Sequence, residues 1–301
     1  MKDCTIIGGG PAGLNATLVL GRARRRVVLV DSNEARNKVT REAHGFITRD
    51  GVKPSELRAL AHQEFSKYQT IVSKEDKVLE IIKGIDSFTI KTEKGEEWQT
   101  RKVILATGVK EEFPNIPNLR DYYGKSIFNC PYCDGWELRD QPLAVFGIVD
   151  YTLHMTEVLR NWSQDIVVFT NGEELSKSQA KQFNEWQVQV ETSPVRLLHG
   201  GEGMLQSIEL ENGLVIERSG GFVTPELVQA SELGMALGLK LTDQGGHQCD
   251  HAGKTKIHGL FVAGEASTIY PAQLIIAAGS GAETAMAVNV ELTHEGVLGS
   301  D

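Results

Sequence analysis

The sequence predicts an α/β fold of two three-layer units, each a mainly parallel sheet carrying helices. Two recurring patterns support this. An apolar strand from Cys4 to Ile7 breaks at a glycine turn and is followed by a helical stretch and a second apolar strand ending at Asp31. The same order returns later, with a strand at 141–147, a helix at 151–162 and a strand at 166–169. Short, continuously apolar runs alternating with helices mark parallel strands buried on both faces.

Composition narrows the function. A chain of 301 residues, 41% hydrophobic and 24% charged, suits two ordinary domains. A net charge of −9 argues against a nucleic-acid surface, which needs clustered lysine and arginine. The one dense basic run, from Arg22 to Arg26, falls where the first helix should end, and we read it as solvated surface complementing the negative helix terminus. Met1 leads almost directly into a strand, with no signal-like segment and no long apolar span, so the expected setting is cytoplasmic and away from membranes.

The first turn reads Gly8-Gly9-Gly10-Pro11-Ala12-Gly13 and opens a helix expected to run to about Arg24. This is G-x-G-x-x-G between strand and helix, with Asp31 closing the next strand 18 residues after Gly13. The glycines let backbone N–H groups approach a pyrophosphate at a helix N-terminus, and the acid can accept ribose hydroxyls, as in FAD or NAD. A loop at 43–51 follows, and within it His44 is either a base near reactive sulfurs or a polar loop residue. Pro54 starts a helix expected to reach about Tyr68. Antiparallel strands fill 71–97, and a buried strand ends at the small turn Ala106-Thr107-Gly108.

Cys130-Pro131-Tyr132-Cys133-Asp134-Gly135 carries the chemistry. Two cysteines two residues apart can close a short disulfide, and the spacing favours a reactive thiolate able to shuttle two electrons. A zinc site would need two more ligands, and Cys4, His247, Cys249 and His251 lack the spacing for it, so no metal is expected. Structural disulfides are rare in a reducing compartment, which favours catalysis. Proline-rich 109–126 reads as a crossing between domains, and 220–225 as the exit from the middle one. The second turn, Gly147-Ile148-Val149-Asp150-Tyr151-Thr152, puts a branched side chain and an acid where phosphate would lie, and the following strand ends in Thr170-Asn171-Gly172 without arginine. A nicotinamide cofactor should bind poorly there. Near the C-terminus a strand ends at Gly264-Glu265, and small residues over 271–283 should let a helix approach a flat ligand or another helix closely. Cys4 is expected to be buried in its strand; Cys249 follows 244–248, which reads as an exposed turn.

Together these motifs resemble the low-molecular-weight thioredoxin reductase family of FAD flavoproteins over essentially the whole chain. The resemblance implies two Rossmann-like domains, a discontinuous FAD domain at 1–115 and 223–301 and an inserted domain at 116–222 carrying the cysteines. It implies that Gly8, Gly10, Pro11, Ala12, Gly13 and Asp31 hold the ADP half of FAD, with Ala106, Thr107, Gly108 and Gly264 lining the cofactor and Glu265 and Gln273 along the ribityl and isoalloxazine. Cys133 would face the flavin, Cys130 would exchange with the partner, and Asp134 would move a proton. Two departures stand out: Glu265 replaces the family's usual aspartate, and the NADPH-binding glycine loop and basic residues are absent. That narrows the resemblance to dithiol oxidases that pass electrons to dioxygen, in which His44 would be the base, and to ferredoxin-dependent or pyridine-nucleotide-independent thioredoxin reductases. The expected function is an FAD-dependent thiol–disulfide oxidoreductase acting on a thioredoxin-like protein or small dithiol without NADPH. An NADPH-dependent thioredoxin reductase and a flavin-bound redox sensor are the alternatives. The resemblance also implies a homodimer.

Overall fold

The structure, a computed structural model, describes residues 1–147 and 149–298. In chain order, β1 (Lys2–Ile7), α1 (Pro11–Arg22) and β2 (Val27–Asp31) are followed by α2 (Pro54–Phe65), β3 (Ile71–Glu75), β4 (Val78–Lys83), β5 (Phe88–Thr92) and β6 (Glu97–Leu105). Next come β7 (Val109–Glu112), α3 (Leu119–Tyr122), β8 (Ile127–Phe128), α4 (Pro131–Asp134), β9 (Leu143–Gly147), α5 (Val149–Leu159), β10 (Ile166–Phe169) and α6 (Lys177–Glu185). The chain closes with β11 (Gln189–Glu191), β12 (Val195–Gly201), β13 (Met204–Leu210), β14 (Val215–Glu217), β15 (Gly220–Thr224), β16 (Glu226–Gln229), α7 (Leu233–Ala236), β17 (Leu260–Val262) and α8 (Leu274–Leu298).

The chain divides into two units. One contains Met1–Lys38, Pro54–Lys110 and the chain from Leu227 on; the other contains Val39–Lys53 and Glu111–Glu226. In the first, β3, β2, β1 and β6 pair side by side and all parallel, and β17 extends the parallel set along the C-terminal half of β6. The other half of β6 takes the antiparallel pair β5 and β4. Cys4, Ile6, Val27, Leu29, Ile104 and Phe261 form the core beneath α1 and α8, as apolar runs buried on both faces should. Gly281 of α8 lies so close to Ala12 of α1 that any Cβ there would collide with backbone, and Asn15 Nδ2 donates to the Ala278 carbonyl at 2.7 Å. The small residues of α8 therefore serve approach to another helix.

The second unit repeats the architecture as a five-stranded, wholly parallel sheet in the order β11-β10-β9-β15-β8, with a separate antiparallel sheet of β12, β13 and β14. Residues 220–225 immediately precede the point where the chain leaves this unit, after Glu226, and they do so as a strand: β15 is a fully buried inner strand beside β9, and a Cβ on Gly221 would meet the Ala144 carbonyl oxygen at 2.5 Å. Glycine marks close strand packing here. The loop around His44 also clusters with this unit, because the Val39 carbonyl packs against Gly124, where a Cβ would meet its oxygen at 2.7 Å.

Candidate active site

The glycine turn between β1 and α1 has three jobs, which the structure separates. Gly8 has φ +110°, and a Cβ there would run into the Ala106 carbonyl, so it makes the turn. A Cβ on Gly13 would collide with the Gly8 carbonyl, so it seats helix on strand. A Cβ on Gly10 would enter open space with nothing within 4 Å. Gly10 is also the N-cap of α1, without a side-chain capping bond, and Pro11 stands in the first turn. The first N–H groups of a helix lack intrahelical partners and attract anions. A clear backbone face and an uncapped helix end thus fit the pyrophosphate of an adenine dinucleotide. Asp31 ends β2 against Gly9, whose added Cβ would strike the carboxylate.

Around this turn the unit gathers the other expected cofactor residues. The Ala106 N–H donates to Ile7 O at 2.8 Å and the Ala263 N–H to Leu105 O at 2.9 Å, bringing Ala106, Thr107 and Gly108 beside Gly264 and Glu265. A Cβ on Gly108 would come within 3.9 Å of Glu265 Oε2. Ser280 Oγ accepts from the Gly264 N–H at 2.9 Å, and half-buried Gln273 immediately precedes α8. Two arginines unmarked in the sequence complete the charge pattern: Arg36 Nη2 donates to Glu265 Oε1 at 2.6 Å, and Arg58 on α2 pairs with Asp31. The expected contact between 244–248 and solvent is overturned at His247, which is 1% exposed beneath a loop whose Gly246 packs on the Ser267 carbonyl. Burial pushes the thiols of Cys4 and Cys249 up, which leaves both poor nucleophiles at neutral pH.

In the second unit Cys130 and Cys133 are joined as a disulfide, with Cα atoms 5.3 Å apart. Cys130 is the N-cap of α4 and Cys133 its third residue; Pro131 sets the first turn, and the Cys133 and Asp134 N–H groups both donate to Cys130 O at 3.1 Å. Gly135 is required next, since a Cβ would meet the Pro131 carbonyl at 2.5 Å and the Trp162 ring at 2.9 Å. Burial pushes the Asp134 carboxyl up to about 7, with Glu137 reinforcing the rise and His44 opposing it. His44 is held among three carboxylates: Nδ1 is 3.6 Å from Asp50 Oδ1, and Nε2 is 3.9 Å from Glu42 Oε2 and 3.7 Å from Glu137 Oε1. Its loop is fixed by the Ala43–Val52 bridge and by the Gly45 N–H donating to Asp50 at 2.9 Å. The fold therefore brings His44, distant in sequence, into the electrostatic field of Asp134.

The second turn differs from the first. Gly147 has φ +133° and packs on Thr224, while Ile148 lies outside the described residues. Val149 opens α5, and its N–H donates to Glu173 Oε2 at 3.3 Å; Asp150 Oδ1 accepts from Gln179 Nε2 at 2.6 Å.

Residues 2–288 match the family described as pyridine nucleotide-disulphide oxidoreductase. The chain belongs to this family. A protein named "Probable thioredoxin reductase" from Arthroderma benhamiae is 32% identical, over 97% of this chain and 81% of its own length. Among solved structures, one of a candidate thioredoxin reductase, TrxB, from Bacillus anthracis is 45% identical, covers 98% of this chain and 99% of its own, and superposes with a TM-score of 0.95. That of HlmI is 36% identical, covers 99% and 95%, and also has a TM-score of 0.95. This pyridine nucleotide-disulphide oxidoreductase is accordingly a thioredoxin reductase-like enzyme of a family that typically binds FAD. No helix among the described residues is long and apolar enough to cross a membrane. Sequence reasoning missed Arg36, Arg58, Glu137 and Glu173; each is a charged residue brought to its partner by tertiary structure, without a local spacing signal.

Proposed function

We propose that this oxidoreductase exchanges electrons between a dithiol or disulfide partner, the Cys130–Cys133 pair and FAD, and works without NADPH. The observation that carries the reading is the closed disulfide one residue from a carboxyl that is half protonated near neutral pH. In the thiol-oxidising direction, a partner thiolate attacks Cys130 Sγ, the bond to Cys133 breaks, and its electron pair leaves on Cys133. The partner's second thiolate then attacks its own bridged sulfur and expels Cys130. The partner departs as a disulfide, two electrons poorer, and the cysteines hold those electrons as thiols or thiolates. Asp134 and His44 take up and return the protons of the attacking and leaving sulfurs, because only thiolates attack. FAD, when bound along Gly8, Gly10, Gly13, Asp31, Glu265 and Gln273, supplies two-electron acceptance and return. Run backwards, the same steps reduce a partner disulfide.

Independence from NADPH is supported by the second turn. Past Gly147 the turn lacks the glycines of the first one, and Asp150, Glu173 and Glu174 put negative charge where a phosphate-binding turn and arginines would be needed. The thiol partner is a small dithiol or a thioredoxin-like protein, and dioxygen or ferredoxin closes the electron balance. The names of the relatives favour one other reading, an NADPH-dependent thioredoxin reductase. Anaerobic titration of the yellow holoprotein separates the two. Bleaching of the flavin absorbance by a small dithiol but not by NADPH is the expected result, and bleaching by NADPH would establish the other reading.

A further inference from the structure

In an open parallel sheet a dinucleotide lies across the carboxyl ends of the strands, its diphosphate on the helix after the first strand and its ribose near the end of the second. In the second unit those positions are the N-terminus of α5 and the segment from Thr170 to Glu174 after β10. The segment folds back onto the helix. The Val149 N–H, first in α5, donates to Glu173 Oε2 at 3.3 Å. Two sets of bonds fasten the loop, and a third ties α6 to the first turn of α5. Thr170 Oγ1 donates to Glu173 O at 2.7 Å; Asn171 Nδ2 donates to Asn115 O at 3.2 Å, while its Oδ1 accepts from the Val195 N–H at 2.9 Å. Gln179, within the capping box of α6, donates to Asp150 Oδ1 at 2.6 Å.

We infer that Glu173 determines electron-donor specificity: its carboxylate is a built-in anion that closes the α5 N-terminus to the diphosphate of a pyridine nucleotide. The inference rests on the reading that the enzyme works without NADPH. A helix N-terminus favours one negative group, and here the protein itself supplies it. A diphosphate arriving at the same N–H groups would have to displace Glu173 and would also face Asp150. The first unit shows the contrast, since Gly10 leaves the equivalent helix end clear.

The test measures NADPH binding to the holoprotein by calorimetry, with the wild type, Glu173→Ala and Glu173→Gln side by side. Glu173 is exposed, so both variants should stay folded, losing at most the modest stability of one helix-end contact. Expected is weak or undetectable wild-type binding and a gain of about tenfold or more in both variants, about 1.4 kcal/mol, because glutamine keeps the size but not the charge. The gain should shrink as salt rises, which mere loosening of the loop would not produce. Inorganic pyrophosphate should follow the same order. If the wild type resists NADPH and neither variant binds it more tightly, the role of Glu173 is overturned while the proposed function stands. A gain in Glu173→Ala alone would overturn the role of charge. Wild-type flavin that NADPH bleaches would overturn the proposed function itself, and this inference with it.

Discussion

Replacing Asp134 by asparagine should make the protein more stable and less active, and the structure gives a size for each effect. Burial raises this carboxyl from its ordinary 3.8 to about 7, so the native state resists its ionisation. The folded protein therefore binds more protons than the unfolded chain between those two values, and stability falls as pH rises through that window, then levels off above it. The full rise corresponds to at most ~4 kcal/mol, and partial exposure to solvent cuts it to roughly 2 kcal/mol. Asparagine removes the penalty. Its melting temperature should exceed that of wild type by ~5 °C at pH 8, with a smaller gap at pH 5. Activity moves the other way: a group half protonated at pH 7 can both give and take a proton, and its loss should slow reaction with a small dithiol about a hundredfold or more. Stopped-flow flavin absorbance across pH 6–8 and thermal melts at both pH values measure the pair. A variant with the same melting gap at pH 5 and 8, or one as fast as wild type, would refute the reasoning.

Other expectations concern the cofactor turn, the sulfurs and the core. Gly10→Ala places a methyl in the space left for the pyrophosphate and should give a folded but colourless protein, whereas Gly13→Ala meets the Gly8 carbonyl and should lower the melting temperature even without flavin. Absorbance at the flavin band and melts of the apoproteins distinguish them. Cys130→Ser should abolish turnover in a protein that stays yellow, and retained turnover would sink the exchange mechanism. Lys102 is 1% exposed, with Nζ 2.9 Å from Glu291 and 2.5 Å from Glu295; burial alone would raise both carboxyls, yet hydrogen bonds to Lys102 bring them below the ordinary range. Groups lowered in this way stabilise above their unfolded pKa and stop doing so as pH falls through the folded one. Lys102→Met should cost about 3 kcal/mol at pH 7 and lessen the destabilisation on acidification, both readable by chemical denaturation.

What the sequence made legible was local. Continuous apolar runs gave the parallel strands, because Val27 to Val30 and Ile166 to Phe169 have no polar face to turn outward. The G-x-G-x-x-G turn and Cys130-Pro131-Tyr132-Cys133 were readable because their spacing is itself the mechanism. The failures were long-range. The glycines at 220–221 marked the approach to the exit from the middle domain but not the strand they form, since nothing nearby in sequence says that Ala144 will press against them. The basic run from Arg22 to Arg26 is largely exposed, as read, but the sequence did not show that half-buried Arg25 donates through Nε to Asn289 Oδ1 at 2.7 Å or that Arg26 pairs with Asp3 at 3.1 Å. His44 could be read as a base or as a polar loop residue, and the sequence did not show the three carboxylates around it.

The two units show how one topology supports different chemistry. Each has a parallel sheet, a turn with a positive-φ glycine at its first strand end, and a helix whose N-terminus faces the carboxyl edge. At the first helix the chain leaves backbone N–H groups clear beside Gly10; at the second it supplies a carboxylate of its own. A helix end exerts the same attraction in both places, so the difference lies in what the neighbouring loop delivers. Arg36 and Arg58 in the first unit hold Glu265 and Asp31 in ion pairs, whereas the loop after β10 in the second delivers Glu173 without a matching arginine. On the proposed reading, ligand choice is set by a few loop charges: the missing glycines and arginines of the second turn stand in the sequence, whereas the Glu173 contact with α5 emerges only from the fold.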